Sequence, residues 1–199
     1  EKTAGRIPVI AGTGSNDTAY SIALSRYACD VGADALLAVT PYYNKTSPRG
    51  LTKSFLALAD AVSKPVILYN VPGCNIPLAV YRELAEHERI VAVKEASGNI
   101  GAIAELAAEC SDRLDIYSGN DDQIVPLMSL GGKGVISVLA NLLPDKVHTL
   151  TSLCLEQNFT GSASLQLHYL PLIRAIFSEV NPIPVKTAME IMGLCPAEM

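Results

Sequence analysis

Six short apolar runs recur along this 199-residue chain, each bounded by Gly, Pro, Asn or Ser: Ile7 to Ala11, Ala35 to Thr40, Val66 to Tyr69, Ile90 to Val93, Leu114 to Tyr117 and Gly134 to Leu139. Their hydrophobicity is nearly continuous rather than alternating, which predicts strands buried on both faces. Between them lie stretches with helical periodicity: Thr18 to Val31, Leu51 to Val62, Leu78 to His87, Ile100 to Cys110 and Asp122 to Leu130. Strand alternating with helix at a pitch of roughly 20 to 30 residues predicts βα units, hence a parallel sheet covered by helices.

An open, doubly wound sheet of this size usually carries a Gly-x-Gly-x-x-Gly turn after its first strand. Here that turn reads Gly12-Thr13-Gly14-Ser15-Asn16 and lacks the third glycine, so a plain tight βα turn is the better reading. The competing architecture is the (β/α)8 TIM barrel, which needs about 250 residues. After the sixth run the sequence is mostly helical, through Asp145 to Gln157 and Ser162 to Ser178, and Asn181-Pro182-Ile183-Pro184 interrupts it before a last helical stretch. That pattern predicts a final barrel helix followed by a C-terminal helical extension, with the first two βα units missing and belonging at the N-terminus. Residues 1–160 are then barrel units from about the third strand to the eighth with the last barrel helix. Residues 161–199 begin the C-terminal helical region.

Composition narrows the function classes. With 49% apolar and 18% charged residues the chain is globular, and its net charge of −5 offers no basic stripe for a nucleic-acid partner. The apolar runs are well short of the roughly 20 residues of a membrane helix, and no signal-peptide pattern opens the chain. Five dispersed cysteines without a Cys-x-x-Cys pair predict reduced thiols, a cytoplasmic protein and no metal site.

Most lysines sit in polar turns or on helix faces, but Lys94 closes the run Ile90-Val91-Ala92-Val93. In a parallel barrel catalytic side chains gather at the C-terminal strand ends, and apolar walls there favour the unprotonated, nucleophilic amine. A ketone or aldehyde substrate is the matching electrophile. The structural alternative is a lysine paired with Glu95 or another loop carboxylate. Tyr69 ends the preceding run and is expected beside Lys94, where a phenol relays protons; a core tyrosine is the alternative. Tyr42 and Tyr43 follow Thr40-Pro41 in the loop one strand further back, a placement that suits a site or an interface. Ser118 to Asp122 reads as a helix cap able to offer amides to an anion, Gly131 to Gly134 as a turn, and His87, His148 and His168 as solvated.

Seven strings together resemble the dihydrodipicolinate synthase family, within the pyruvate-dependent lyases typified by N-acetylneuraminate lyase: AGTGSN at 11 to 16, VTPYYN at 39 to 44, LYNVP at 68 to 72, VKEASGN at 93 to 99, SGNDD at 118 to 122, GGKGVISVLAN at 131 to 141 and NPIPVK at 181 to 186. The resemblance implies condensation of pyruvate with aspartate semialdehyde by a homotetramer, a dimer of dimers, without metal or organic cofactor. It makes Lys94 the Schiff-base lysine, Tyr69 the acid/base tyrosine and Tyr43 a relay tyrosine donated across a dimer interface. Gly119 and Ile136 match pocket positions near the keto acid. Gly14, Asn16 and Tyr42 match a feedback site for lysine, and Tyr20, standing where lysine-sensitive members tend to carry an acid, implies weak or no inhibition. Two features depart from the family: a Gly-Thr-Thr-Gly-Glu loop has no counterpart, and the Arg-Thr-Gly usual after Gly73 is absent, with the arginine expected to hold a substrate carboxylate. A lyase acting on a keto sugar acid such as N-acetylneuraminate, or an inactive barrel, are the competing readings.

Overall fold

The computed structural model describes residues 3–196 as an α/β fold with a helical C-terminal region, in two compact units, one running up to Ile116 and the other starting at Tyr117. Glu1, Lys2 and Ala197 to Met199, the outer ends of the two segments expected from the sequence, lie outside the described residues. No helix among the described residues is long and apolar enough to cross a membrane.

The first unit alternates β1 (Ile10–Gly12), α1 (Thr18–Asp30), β2 (Ala35–Val39), α2 (Pro48–Asp60), β3 (Val66–Asn70), α3 (Leu78–Leu84), β4 (Ile90–Glu95) and α4 (Ile100–Cys110). β1 pairs with β2, β2 with β3 and β3 with β4, all parallel. Three of its helices start where a polar side chain caps a free backbone N–H: Asp17 accepts from Tyr20 N at 3.1 Å, Ser47 from Gly50 N at 3.2 Å and Asn99 from Ala102 N at 3.2 Å. These are the last residues of their βα loops, so each loop ends by nucleating the next helix.

Successive strand residues point to opposite faces. Leu36, Ala38, Val66, Leu68, Ile90 and Val93 are all buried, while in the other row Ile67 and Ala92 are buried and Leu37, Val39 and Tyr69 are intermediate. Buried positions on α2, α3 and α4, among them Phe55, Leu58, Leu84, Ile103 and Leu106, supply the helical side of the core, each such side chain contributing about 1.5–3 kcal/mol relative to exposure.

Three expectations are corrected. β1 is not buried on both faces: Val9 and Ile10 are 39% and 46% exposed and Ile7 is 60% exposed, because the described residues pair β1 only with β2. The predicted helix ending at His87 stops at Leu84, and His87 is not solvated. Its Nε2 lies 3.1 Å from Asp60 Oδ1 while Nδ1 accepts from Arg89 N at 3.1 Å, so one nitrogen donates, the other accepts, and the ring staples the turn before β4 to the end of α2. The predicted strand from Gly134 to Leu139 shrinks to two residues for a reason given below.

The turn after β1 is structural. Ser21 and Ser25, buried on α1, donate to Thr13 O and Thr13 Oγ1, both at 2.8 Å. Gly14 presses on β2 so closely that a Cβ built there would stand 2.1 Å from Val39 N. The obstacle is backbone, which cannot rotate aside. Gly14→Ala should therefore lower stability by about 3 kcal/mol, read as an earlier urea midpoint at unchanged slope by circular dichroism.

The second unit starts at Tyr117, within β5 (Asp115–Ser118), and contains α5 (Ile124–Ser129), β6 (Gly134–Val135), α6 (Pro144–Leu155), α7 (Phe159–Ile176) and α8 (Ile183–Ile191). Tyr117 and Ser118 pair in parallel with Gly134 and Val135. Leu139, Leu142, Val147, Ile173, Ile176 and Val185 form one core cluster, and Ile124, Met128, Leu150 and Cys154 another. Gln166, buried on α7, accepts from Val125 N and donates to Asp122 O, both at 2.9 Å, tying α7 to the start of α5.

Candidate active site

Cross-strand register places the first two predicted residues side by side. β3 and β4 begin with Val66 opposite Ile90, but Ile67 stands opposite Ala92, so Val91 is an extra residue in β4. Such a bulge moves everything beyond it by one position, and one position exchanges the faces of a strand. Beyond Val91, Tyr69 is opposite Lys94 and Asn70 is opposite Glu95. Without the bulge, Tyr69 would face Val93.

The Lys94 Nζ lies 4.1 Å from the centroid of the Tyr69 ring, within the range in which the π face attracts an ammonium. Both residues are half-buried. Burial raises the Tyr69 phenol above its ordinary value of 10.0, so at neutral pH it is a proton donor.

Glu95 turns to the other face of β4, as strand alternation requires, and is 3% exposed. Its carboxylate accepts from Asn70 Nδ2 at 2.6 Å, from the Tyr81 hydroxyl at 3.4 Å and from Ser97 N at 2.6 Å. Asn70 Oδ1 in turn accepts from Ile76 N at 2.9 Å. Two adjacent strands, the loop after β3, α3 and the turn after β4 thus meet at one buried carboxylate. Sequence reasoning treated Glu95 only as an ion-pair partner for its neighbour and passed over Asn70 and Tyr81. The available signal was a polar residue following each of two catalytic candidates in otherwise apolar runs. These residues also line a cavity of about 190 Å³ together with Ile76, Ser97 and Leu106. Neither Lys94 nor Tyr69 lines that cavity.

Tyr43 is 94% exposed, with a positive φ of 66°, an uncommon conformation for a bulky residue. Tyr42 beside it is 47% exposed. Their loop reaches the turn after β1, where Asn44 Nδ2 donates to Asn16 O at 3.0 Å; with Gly14 against Val39, the residues matched to a lysine site therefore occupy neighbouring loops. Tyr20 is exposed on the first turn of α1.

In the second unit Gly119 follows β5, and Ile136 N donates to Ser118 O at 2.8 Å, so the two predicted pocket positions lie at adjoining strand ends. Asp121 faces inward and is fully buried. It accepts from the Ser137 hydroxyl and, at 3.0 Å each, from Val138 N and Leu139 N. Those two N–H groups are thereby taken from any strand ladder, so the strand cannot run on to Leu139, and Leu139–Asn141 forms a 3-10 helix. Burial raises the Asp121 carboxyl above its usual range, against the pull of its three donors. Asp121 thus ties the Ser118 to Asp122 loop to the inside of the unit, and the 3-10 helix that follows Asn120 has no side-chain cap. No group of three or more metal-binding side chains occurs among the described residues.

Parallel βα units with an amine and a phenol paired at the carboxyl ends of adjacent strands define an α/β protein with its candidate reacting groups where such folds concentrate function. Residues 1–199 match the dihydrodipicolinate synthetase family, and the chain belongs to it. It is 53% identical over 197 residues to a 4-hydroxy-tetrahydrodipicolinate synthase of Acetivibrio thermocellus, covering 98% of this chain and 67% of that protein. The crystal structure of dihydrodipicolinate synthase from Aquifex aeolicus superposes with a TM-score of 0.96 at 40% identity, covering 100% of this chain and 69% of the other. A chloride-inhibited dihydrodipicolinate synthase from Acinetobacter baumannii complexed with pyruvate gives 0.94 at 40% identity, covering 96% and 67%. This chain spans about two thirds of the length of these relatives.

The Tyr81 phenol, buried beside Glu95, is held well above 10.0 by burial first and by the neighbouring carboxylate second. A raised folded pKa contributes stability that is fully present below about pH 10 and lost as pH rises through the folded value. Tyr81→Phe should therefore flatten the alkaline loss of stability, measured as the difference in urea midpoint between pH 8 and about pH 11 in the two proteins.

Proposed function

We propose that the chain acts as a 4-hydroxy-tetrahydrodipicolinate synthase, joining pyruvate to L-aspartate 4-semialdehyde through a Schiff base on Lys94. The observation that carries this reading is the register that sets Tyr69 against Lys94; the names of the relatives support it and do not favour a keto sugar acid lyase. The same proposal takes the fold as part of a (β/α)8 barrel, supported by the TM-scores of the family's structures. It keeps residues 1–160 as barrel units, 161–199 as the start of the helical extension, and a cytoplasmic location.

Chemically, the Lys94 amine adds to the pyruvate ketone, and the carbinolamine oxygen leaves as water once protonated. A neutral phenol at Tyr69 is suited to deliver that proton. Loss of a proton from the pyruvate methyl group gives an enamine, whose carbon attacks the aldehyde of the second substrate; the amino group of that substrate then adds to the re-formed imine carbon, closing the ring and releasing the Lys94 amine. The protonated imine is itself the electron sink, so the reaction calls for neither metal nor organic cofactor. Gly119 and Ile136 take the role of pocket residues around the keto acid. An exposed tyrosine held at positive φ suits Tyr43 to a neighbouring protomer's site in a homotetramer. Gly14, Asn16 and Tyr42 form a lysine site that lacks a carboxylate for the ligand ammonium at Tyr20, so feedback inhibition by lysine is weak or absent.

Borohydride reduction in the presence of pyruvate should leave a pyruvyl adduct on the Lys94 peptide by mass spectrometry, and Lys94→Ala should abolish it. A trapped adduct elsewhere, or none, defeats the assignment. Tyr43 is tested by complementation. Lys94→Ala and Tyr43→Phe proteins, each nearly inactive alone, should recover about a quarter of the active sites when subunits are mixed in equal amounts and exchange; no recovery would place Tyr43 in its own protomer.

A further inference from the structure

We infer that Asn70 and Glu95 are positioning residues whose hydrogen bond, on the face of the sheet turned away from the amine, holds the register that keeps Tyr69 against Lys94. The inference rests on the function proposed for Lys94. The apolar run Ile90-Val91-Ala92-Val93 does not select its own register, because a one-residue slip replaces one small apolar neighbour of β3 by another. The polar residues just beyond it do select. Asn70 Nδ2 meets Glu95 Oε2 at 2.6 Å in the bulged register, and each partner has a second backbone anchor: Ile76 N on Asn70 and Ser97 N on Glu95. Glu95 is 3% and Asn70 4% exposed, so neither can turn to water if the pairing slips, and a buried donor or acceptor left unmade is costly. The bond lies at the position directly after the Tyr69 and Lys94 pair, where a slip of the two strands would first be felt.

Donor and acceptor accounting supplies the test. In Glu95→Gln one end of the new amide must face either the Asn70 amide or Ser97 N–H, donor against donor. In Asn70→Asp two carboxylates face each other. In the double exchange N70D/E95Q, the new amide at position 95 accepts from Ser97 N and donates to the new carboxylate at position 70, which accepts from Ile76 N, so the bond returns with its direction reversed. The readout is the rate of borohydride-trappable imine formation on the full chain across pyruvate concentrations. Each single exchange should slow trapping at saturating pyruvate by up to about a hundredfold, the penalty of misplacing reacting groups by an ångström, with little change in half-saturation. The double exchange should return to within a few fold of the unaltered protein, which a purely structural role for either residue would not produce. Single variants that trap at the normal rate, or a folded double variant as slow as the singles, would overturn the positioning role. If the singles are insoluble, the double variant alone decides, since it is soluble and fast or the inference fails. An unaltered protein that forms no adduct would instead strike the proposed function, and the positioning role with it.

Discussion

The extra residue at Val91 is the constraint on which the candidate site depends. It converts a sheet in which Tyr69 would face Val93 into one in which it faces Lys94, and so decides whether an amine and a phenol share a face of the sheet at all. Bulges recur beside active sites because they re-aim a side chain without altering the fold around it. Here the bulge follows directly on the pairing of Val66 with Ile90, both buried, while the extra residue Val91 is itself 36% exposed, so the shift is anchored at a buried pair and its surplus residue turns outward.

Each unit also organises a strand end around one buried carboxylate held by several donors. Glu95 gathers the side chains of Asn70 and Tyr81 and the backbone of Ser97; Asp121 gathers the side chain of Ser137 and the backbone of Val138 and Leu139. A carboxylate with its lone pairs filled is tolerated in the interior, whereas one with gaps is not. The consequence is directional: an apolar core fixes that a strand is buried, while these polar hubs fix where the chain must turn at its end.

Lys94 and Tyr69 were legible because a polar residue closing an apolar run is out of place in a core and in place at the mouth of a parallel fold. The tight turn at Gly14 was also legible, and the backbone of Val39 is what presses on it. Glu95 entered the sequence reading only as an alternative partner for Lys94, and its bonds to Asn70, Tyr81 and Ser97 were not legible, because those partners come together only on folding. His87 was misread as solvated, because neither Asp60 nor the N–H of Arg89 is marked as its partner until the turn is folded. The short β6 was hidden for the same reason: Gly134 to Leu139 has strand composition, and the distant Asp121 takes the N–H groups of Val138 and Leu139 from the ladder.

The sequence by itself determined the order of βα units, the helical stretches between them, the apolar content of each strand, and the presence of a lysine and a tyrosine at consecutive strand ends. Those are local properties, set by hydrophobic pattern within a few residues. Tertiary structure alone decided the extra residue at Val91 that brings Tyr69 and Lys94 into register, and that Asn70 and Glu95 meet behind them. The physical reason is that a continuous apolar run reads the same in either register, so the choice falls to hydrogen bonds between residues 25 positions apart in the chain.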